Sequence, residues 1–184
     1  MSREHNPINL NLKSLRALGC WAADCAVRSL PLFEAQVPAD LRPRAAIEGI
    51  REFAGGGRRT ARLRSLALAA LAAAREVKDP AATAAARAAG LAASSAYTHP
   101  LADLDQAKHI LGPAVYAALA VELAHGGDPA SGEAEIRWAI EHVPAEVCAI
   151  LRQMPARPAG KSRLDRLYYE LDSGLHTCTF LKGV

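Results

Sequence analysis

The sequence is poor in aromatic residues and lacks the long apolar segments of membrane and secreted proteins. Aromatic residues make up 5% of the 184 positions and hydrophobic residues 51%, so alanine and leucine must supply most of the packing. No uncharged apolar run reaches the roughly 18 residues that a membrane helix needs. The N-terminal stretch MSREHNPINLNLKS also lacks the apolar core of a signal peptide. These absences predict a cytoplasmic protein that does not associate with membranes.

Metal-binding cysteine motifs and common catalytic signatures are missing as well. The four cysteines form no CxxC pair and have no zinc-finger spacing: Cys20, Cys25, Cys148 and Cys178. We therefore expect free, reduced thiols. The sequence has no HExxH or GxSxG motif and no Ser-His-Asp signature, and its glycine run is not followed by the GK[ST] of a P-loop. No catalytic residue or cofactor is predicted, and a non-enzymatic role is favoured without excluding an enzyme.

The residues that are abundant favour an all-α fold. Alanine is a strong helix former, whereas β-branched and aromatic residues, which favour strands, are sparse. Short helices joined by tight loops predict a single-domain multi-helix bundle, with HEAT-like antiparallel stacking as a variant. We expect a flexible arm over residues 1–11, a helical domain over 12–176 and a tail over 177–184.

The clearest helical period runs over residues 15–34, LRALGCWAADCAVRSLPLFE. At 100° per residue, Trp21 and Cys25 fall on its broad apolar face and Asp24 lies opposite. Pro31 is expected to kink or end this helix, since it has no backbone donor and clashes with the preceding turn. The stretch is therefore predicted to be a packing spine. Asp24 either stays at the surface, where it can pair with Arg28 four residues on, or is buried and pairs with Arg42 or Arg44 of the next helix.

Capping residues predict the later boundaries. A second helix is expected over 42–53, capped by Asp40, with Pro43 in its first turn and Gly55-Gly56-Gly57 ending it. A third is expected over 59–78, followed by an alanine-rich helix that Asp79-Pro80 opens and that should be central. Further breaks are predicted at Gly112-Pro113, at a loop over Gly126–Ser131, at Val143-Pro144 and at a linker over Pro155–Lys161, after which Ser162 caps the last helix.

An arginine cluster between positions 42 and 64 is the first candidate site. It contains Arg42, Arg44, Arg51, Arg58, Arg59, Arg62 and Arg64 against three acids, Asp40, Glu48 and Glu52. A solvated basic face is the simplest interpretation. The alternatives are nucleic acid, a phosphorylated small molecule or an acidic protein partner, and the backbone N–H groups of the glycine run would suit an anion. The predicted binding residues are Asp24, Arg42, Arg44, Arg58, Arg59 and Arg62.

Two further sets of residues suggest chemistry more weakly. His99 and Asp103 are four residues apart, as are Asp105 and His109, so each pair can share a helix face and offer ligands to a divalent metal. Acids in the first turn of a helix are also expected for dipole reasons alone, and no metal site is predicted. On the first helix, Cys25 is interpreted as a buried hydrophobe rather than a nucleophile.

Three segments carry a family resemblance: GCWAADCAVRSLPLFE, DLRPRAAIEGIREFAGG and the alanine-rich helix ending AAARAAGLAAS. Together with VYAALAVE and EIRWAIEHVPAEV, they make residues 12–154 similar to the small helical bacterial proteins of the Imm-5-like immunity group. The resemblance implies an all-α domain in a bacterial cytoplasm and a role in neutralising a toxin. The segment over 94–113 and the chain beyond Pro155 depart from the family's pattern.

Three functions follow from these patterns. The first is an immunity-type protein that neutralises a toxin by binding it directly, with the basic face meeting an acidic partner. The second is an enzyme or small-molecule-binding protein, with a polar pocket between helices that contains Asp24, Arg42, Arg44, His99 and His109. The third is a basic helical protein that binds nucleic acid, and the modest net charge of +3 makes it the least favoured of the three.

Overall fold

A computed structural model describes residues 7–177, which form nine α-helices and a single 3₁₀ turn, Ser95–Tyr97. The helices are α1 Leu12–Val27, α2 Leu30–Gln36, α3 Arg42–Ala54, α4 Ala61–Glu76, α5 Pro80–Ser94, α6 Leu104–Ala124, α7 Pro129–Glu141, α8 Ala145–Leu151 and α9 Arg163–Thr177. The prediction of an all-α bundle is confirmed. None of the helices in this part of the chain is both long and apolar enough to cross a membrane.

Helix α5 is the centre of the bundle, as its alanine content predicted. It contacts α1, α2, α3, α4 and α6, and all of its alanines are buried. Asp79 caps it by accepting a hydrogen bond from the Ala82 N–H at 2.8 Å, with Pro80 in the first turn. Since alanine side chains are short, neighbouring helices can approach at the close end of the usual spacing, about 8 Å.

The stretch over 15–34 divides into two helices at the predicted place. Helix α1 ends at Val27, and Pro31 lies in the first turn of α2. Backbone N–H groups in a first turn have no partner within the helix, so proline costs no hydrogen bond there. Trp21 and Cys25 are buried, as the helical period predicted. The Trp21 indole donates to the Ala139 carbonyl at 3.0 Å and thereby joins α1 to α7.

The break predicted at Gly112-Pro113 is wrong, because α6 continues through both residues. Proline disfavours a helical residue before it partly through a clash with that residue's Cβ, and glycine has none. Gly112 is also buried against α5 and α9: a Cβ there would lie 2.8 Å from Leu91 Cδ1 and 3.3 Å from the Tyr168 hydroxyl. Tertiary packing around Gly112 therefore outweighs the hydrogen bond that Pro113 cannot donate.

The remaining boundaries follow local capping chemistry. Helix α7 begins at Pro129, inside the predicted loop, because Asp128 caps it after two glycines with positive φ, 71° and 83°. The break at Pro144 is confirmed. Ser162 caps α9 as predicted: its hydroxyl accepts from the Asp165 N–H at 3.0 Å and donates to the Asp165 carboxylate at 2.6 Å.

The two ends of the described chain are packed. Of the arm predicted over residues 1–11, residues 1–6 lie outside the described residues. From position 7 onward the chain is held, since Ile8 is buried and its N–H donates to the Pro100 carbonyl at 3.1 Å. Thr177, which was expected to begin the tail, is the last residue of α9. The rest of the predicted tail, residues 178–184 with Cys178, lies outside the described residues.

Candidate functional site

The predicted arginine cluster divides into two groups with different surroundings. Three of its members are already neutralised by acids of the bundle. Arg42 binds both Asp40 and Glu76. Arg44 forms a two-pronged pair with Glu34, at 2.7 and 2.8 Å, and Arg51 reaches Asp24 at 3.2 Å. Hydrogen bonding from Arg42 holds the pKa of the Asp40 carboxyl below its usual range.

The other four arginines form no ion pair with a carboxylate of residues 7–177. We call Arg58, Arg59, Arg62 and Arg64 the α4 arginine cluster, because they lie at the start of α4 or just before it, and all four are exposed. Arg59 and Arg64 lie over the ring of Tyr97, at 5.6 and 4.8 Å from its centroid. Cations at a helix N-terminus are disfavoured by the macrodipole, so their charge is available to an anionic partner.

The glycine run beside this cluster is a helix end rather than an anion cradle. The N–H groups of Gly55, Gly56 and Gly57 donate to carbonyls of the last turn of α3, at 2.9, 3.2 and 2.9 Å. The Gly56 carbonyl accepts from Arg16 at 2.9 Å. Because all three amides are engaged, the prediction that they bind an anion is wrong. A groove of about 410 Å³ lies next to the run, between α3 and α4, with Arg58 and Arg62 among its lining residues.

Asp24 has a different partner from those predicted. It is half exposed and pairs with Arg51, not with Arg28, Arg42 or Arg44. Arg28 turns instead to α7, where it binds Glu135 and lies 4.2 Å from the centroid of the Trp138 ring. A contact with α7 thus replaces the pair four residues apart that the helix alone favoured.

The cysteines of α1 are not activated for nucleophilic chemistry. Burial, reinforced by nearby Asp24, raises the pKa of the Cys25 thiol well above its usual value. Cys20 is exposed, with its sulfur 3.8 Å from the Asp24 carboxylate. Partial burial, together with that carboxylate, raises the pKa of Cys20 as well. Since the thiolate is the reactive form, both environments oppose catalysis.

The four weak metal candidates are not brought together as one set of ligands. Asp103 caps α6 by accepting from the Gln106 N–H at 2.7 Å, and Asp105 lies 3.4 Å from Lys108. The His99 amide donates to the Gln106 side chain at 2.9 Å. His99 and His109 line one depression without either acid. Within residues 7–177, no three histidine, cysteine, aspartate or glutamate side chains converge on a possible ion.

The polar pocket expected for an enzyme is not assembled from the predicted residues. Asp24, Arg42 and Arg44 are engaged in ion pairs with Arg51, Asp40, Glu76 and Glu34. His99 and His109 are exposed beside a depression between α4 and α6 that none of those three lines. The prediction of this pocket is therefore wrong. The local sequence does not reveal which distant acid each arginine meets.

A second basic surface was not identified from the sequence. A groove of about 340 Å³ crosses α5 between α4 and α6, and we call it the α5 groove. Its lining includes Arg75, Arg87, Lys108, Tyr116 and Tyr168. One signal was available: Arg87 is the single charged residue in the sequence of α5, so the helix must reach solvent at that point. Tyr168, contributed by α9 from far along the chain, gave no such signal.

Comparison with known proteins supplies one relationship. The profile of a family described as "Imm-5 like putative immunity protein" matches residues 9–146, about three quarters of the chain. No curated protein and no solved structure shows a significant match to it. The matched region runs from the turn before α1 into the start of α8 and contains both basic surfaces except Tyr168. The resemblance found in the sequence is therefore confirmed, and the chain belongs to this Imm-5-like family.

Proposed function

We propose that this protein neutralises a toxin in a bacterial cytoplasm by binding it directly, without catalysing a reaction. Membership of the Imm-5-like family, over residues 9–146, is the observation that carries the proposal. An inhibitor of this kind needs a surface complementary to its target rather than catalytic groups. The engaged acids and unactivated thiols described above agree with that requirement.

The α4 arginine cluster is the surface that we assign to the toxin. Its four guanidinium groups are exposed and have no carboxylate partner within residues 7–177, so a partner gains their charge without breaking an existing pair. Arginine is enriched in protein interfaces because its planar donors bind carboxylates in pairs. The toxin surface that meets the cluster is accordingly acidic.

The predicted binding residues Asp24, Arg42 and Arg44 are not expected to contribute directly. The Arg44 side chain is 47% exposed, but Glu34 already satisfies its charge. A toxin carboxylate would have to compete with that pair. Arg44 is therefore a matched control for Arg58 and Arg62: it has the same charge, lies on the neighbouring helix and already has a partner.

The test uses the product of the toxin gene that the proposal expects beside this protein's gene in its host. Affinity is measured by calorimetry for the wild type, the double variant R58A/R62A and the control R44A. We expect the double variant to bind at least about tenfold more weakly, since each lost charge pair at an interface typically contributes about 1 kcal/mol or more. R44A should bind within about twofold of the wild type. Co-expression with the toxin gives the matching growth test.

Failure of the wild type to bind the neighbouring toxin, or to protect cells from it, would contradict the proposed function. Equal weakening by R58A/R62A and R44A would contradict the assignment of the surface. Nucleic-acid binding remains the alternative for the same arginines. It predicts retention of a DNA or RNA duplex at low salt that falls steeply as salt rises, and that outcome would replace the toxin proposal.

A further inference from the structure

The α5 groove combines a concave apolar floor with basic walls. Its volume of about 340 Å³ suits a small ligand, since small-molecule sites typically range from about 300 to 1,000 Å³. The floor includes Leu71 of α4 and Leu91 of α5. Both leucines fit against glycines: a Cβ on Gly90 would lie 2.7 Å from Leu71 Cγ, and one on Gly112 would lie 2.8 Å from Leu91 Cδ1. The glycines thereby fix the shape of the floor.

The walls carry an excess of positive charge. Arg75, Arg87 and Lys108 line the groove, and neither arginine pairs with a carboxylate of the described chain. Asp105 lies 3.4 Å from Lys108 and offsets one of the three charges. The remaining two positive charges match the dianion of a phosphomonoester better than the single charge of a carboxylate. Arg87 also lies over the ring of Tyr116, 5.7 Å from its centroid, which restricts its position at the groove wall.

Tyr168 adds a neutral donor to these charges. Its side chain is largely buried, with 6% of the residue exposed, yet it forms part of the groove lining. Burial raises the pKa of the Tyr168 phenol, so the hydroxyl keeps its proton at neutral pH. A phenol that stays protonated can donate a hydrogen bond to an anionic oxygen, and bonds to a charged acceptor are stronger than those between neutral groups.

We propose that the α5 groove binds a small phosphomonoester with an aromatic or aliphatic body. The phosphate lies among Arg75, Arg87 and Lys108 and accepts from the Tyr168 hydroxyl, while the body covers Leu71 and Leu91. This site shares no lining residue with the α4 arginine cluster. The proposal therefore does not depend on toxin binding and can be tested on the protein alone.

The test uses four probes on the full-length protein: phenyl phosphate, inorganic phosphate, phenol and benzoate. Calorimetry measures affinity, and amide chemical shifts of Gly90, Leu91 and His109 locate the binding. Phenyl phosphate should bind at least about tenfold more tightly than each of the other three, because only it engages both the charges and the apolar floor. Its amide shifts should be confined to residues around the groove.

Three variants test which residues bind the probe. R87A should weaken phenyl phosphate by about tenfold or more, since it removes a charge-assisted hydrogen-bond donor. Y168F keeps the ring and loses only the hydroxyl, so a loss of about fivefold is expected. R137A is the matched control, because Arg137 is an exposed arginine on α7 away from the groove, and it should bind like the wild type. Circular dichroism confirms that each variant is folded.

Three results would overturn the inference. The first is the absence of saturable phenyl phosphate binding up to about 10 mM. The second is an affinity for inorganic phosphate or for benzoate equal to that for phenyl phosphate. Equal binding of inorganic phosphate would show that the apolar floor does not contribute, and equal binding of benzoate would show that a dianion is not required. The third is weakening by R137A that matches the weakening by R87A, which would show a general response to positive charge.

Discussion

The ion pair between Glu122 and Arg163 gives a sharp test of how α9 is held to the bundle. Arg163 is the first residue of α9, and its guanidinium donates to both Glu122 carboxylate oxygens at 2.8 to 2.9 Å. The Glu122 side chain is 6% exposed, whereas that of Arg163 is 21% exposed. The two partners therefore differ in how well water can replace a lost contact.

This difference predicts unequal effects of removing each partner. R163A leaves the Glu122 carboxylate buried without its cation, and breaking a buried pair in this way destabilises a protein by about 3 kcal/mol. For a chain of this size, that corresponds to a decrease in melting temperature of about 6 to 12 °C. E122Q leaves a more exposed guanidinium that still lies near Glu133 and Glu170, at 3.6 and 3.5 Å. It should cost about 1 kcal/mol.

Urea unfolding followed by circular dichroism measures both free energies, with R166A as the control. Arg166 is exposed on the next turn of α9, so its removal should change stability by no more than about 0.5 kcal/mol. The reasoning is refuted if R163A is no more destabilising than R166A. It is also refuted if E122Q destabilises more than R163A, because the burial of the carboxylate would then not be the source of the cost.

Three further outcomes follow from the packing and electrostatics. G90A should lower the melting temperature, although alanine is a better helix former than glycine. The new Cβ would lie 2.7 Å from Leu71 Cγ, and overpacking of this kind typically costs about 1 to 3 kcal/mol; a higher melting temperature would contradict the close approach of α4 and α5. In a C178S background at pH 8, D24N should speed the labelling of Cys20 by a thiol reagent, because the Cys20 pKa is raised by burial and also by the Asp24 carboxylate, which D24N removes. Unchanged labelling would mean that Asp24 does not raise the Cys20 pKa. The wild type should lose stability as the pH falls below about 4, because a carboxyl with a lowered folded pKa stabilises the protein only while it is ionised. R42A should flatten this loss, because it removes the group that lowers the pKa of Asp40 and Glu76; parallel pH profiles of the wild type and R42A in urea titrations would exclude that contribution.

Helix boundaries were predictable where a local group determines them. Asp79 and Ser162 cap the helices that follow them, and Gly55 ends α3, since each acts on backbone groups within a few residues. Pro113 was misjudged for the opposite reason. Its acceptance within α6 depends on Gly112 packing against Leu91 and Tyr168, which are distant in sequence, so no local pattern indicates it.

The candidate site was predictable as a composition but not as an arrangement. The sequence shows seven arginines close together and cannot show that Glu34 and Glu76 reach two of them from other helices. Arg28 illustrates the same limit, since its partner Glu135 lies 107 residues away. The α4 arginine cluster consists of the arginines that are left without a carboxylate partner among residues 7–177 once these pairs have formed.

The two basic surfaces can be separated, because α4 contributes to both with different residues. Arg62 belongs to the surface assigned to the toxin, whereas Arg75 lines the α5 groove a few turns later. The depression between them contains Arg64 and His109, and His109 also lines the groove, so an occupant of one surface approaches the other. If toxin and phosphomonoester bind independently, R62A weakens only the first and R87A only the second. If phenyl phosphate instead competes with the toxin, the two surfaces are parts of one interface, and an acidic segment of the toxin extends from the α4 arginine cluster into the α5 groove.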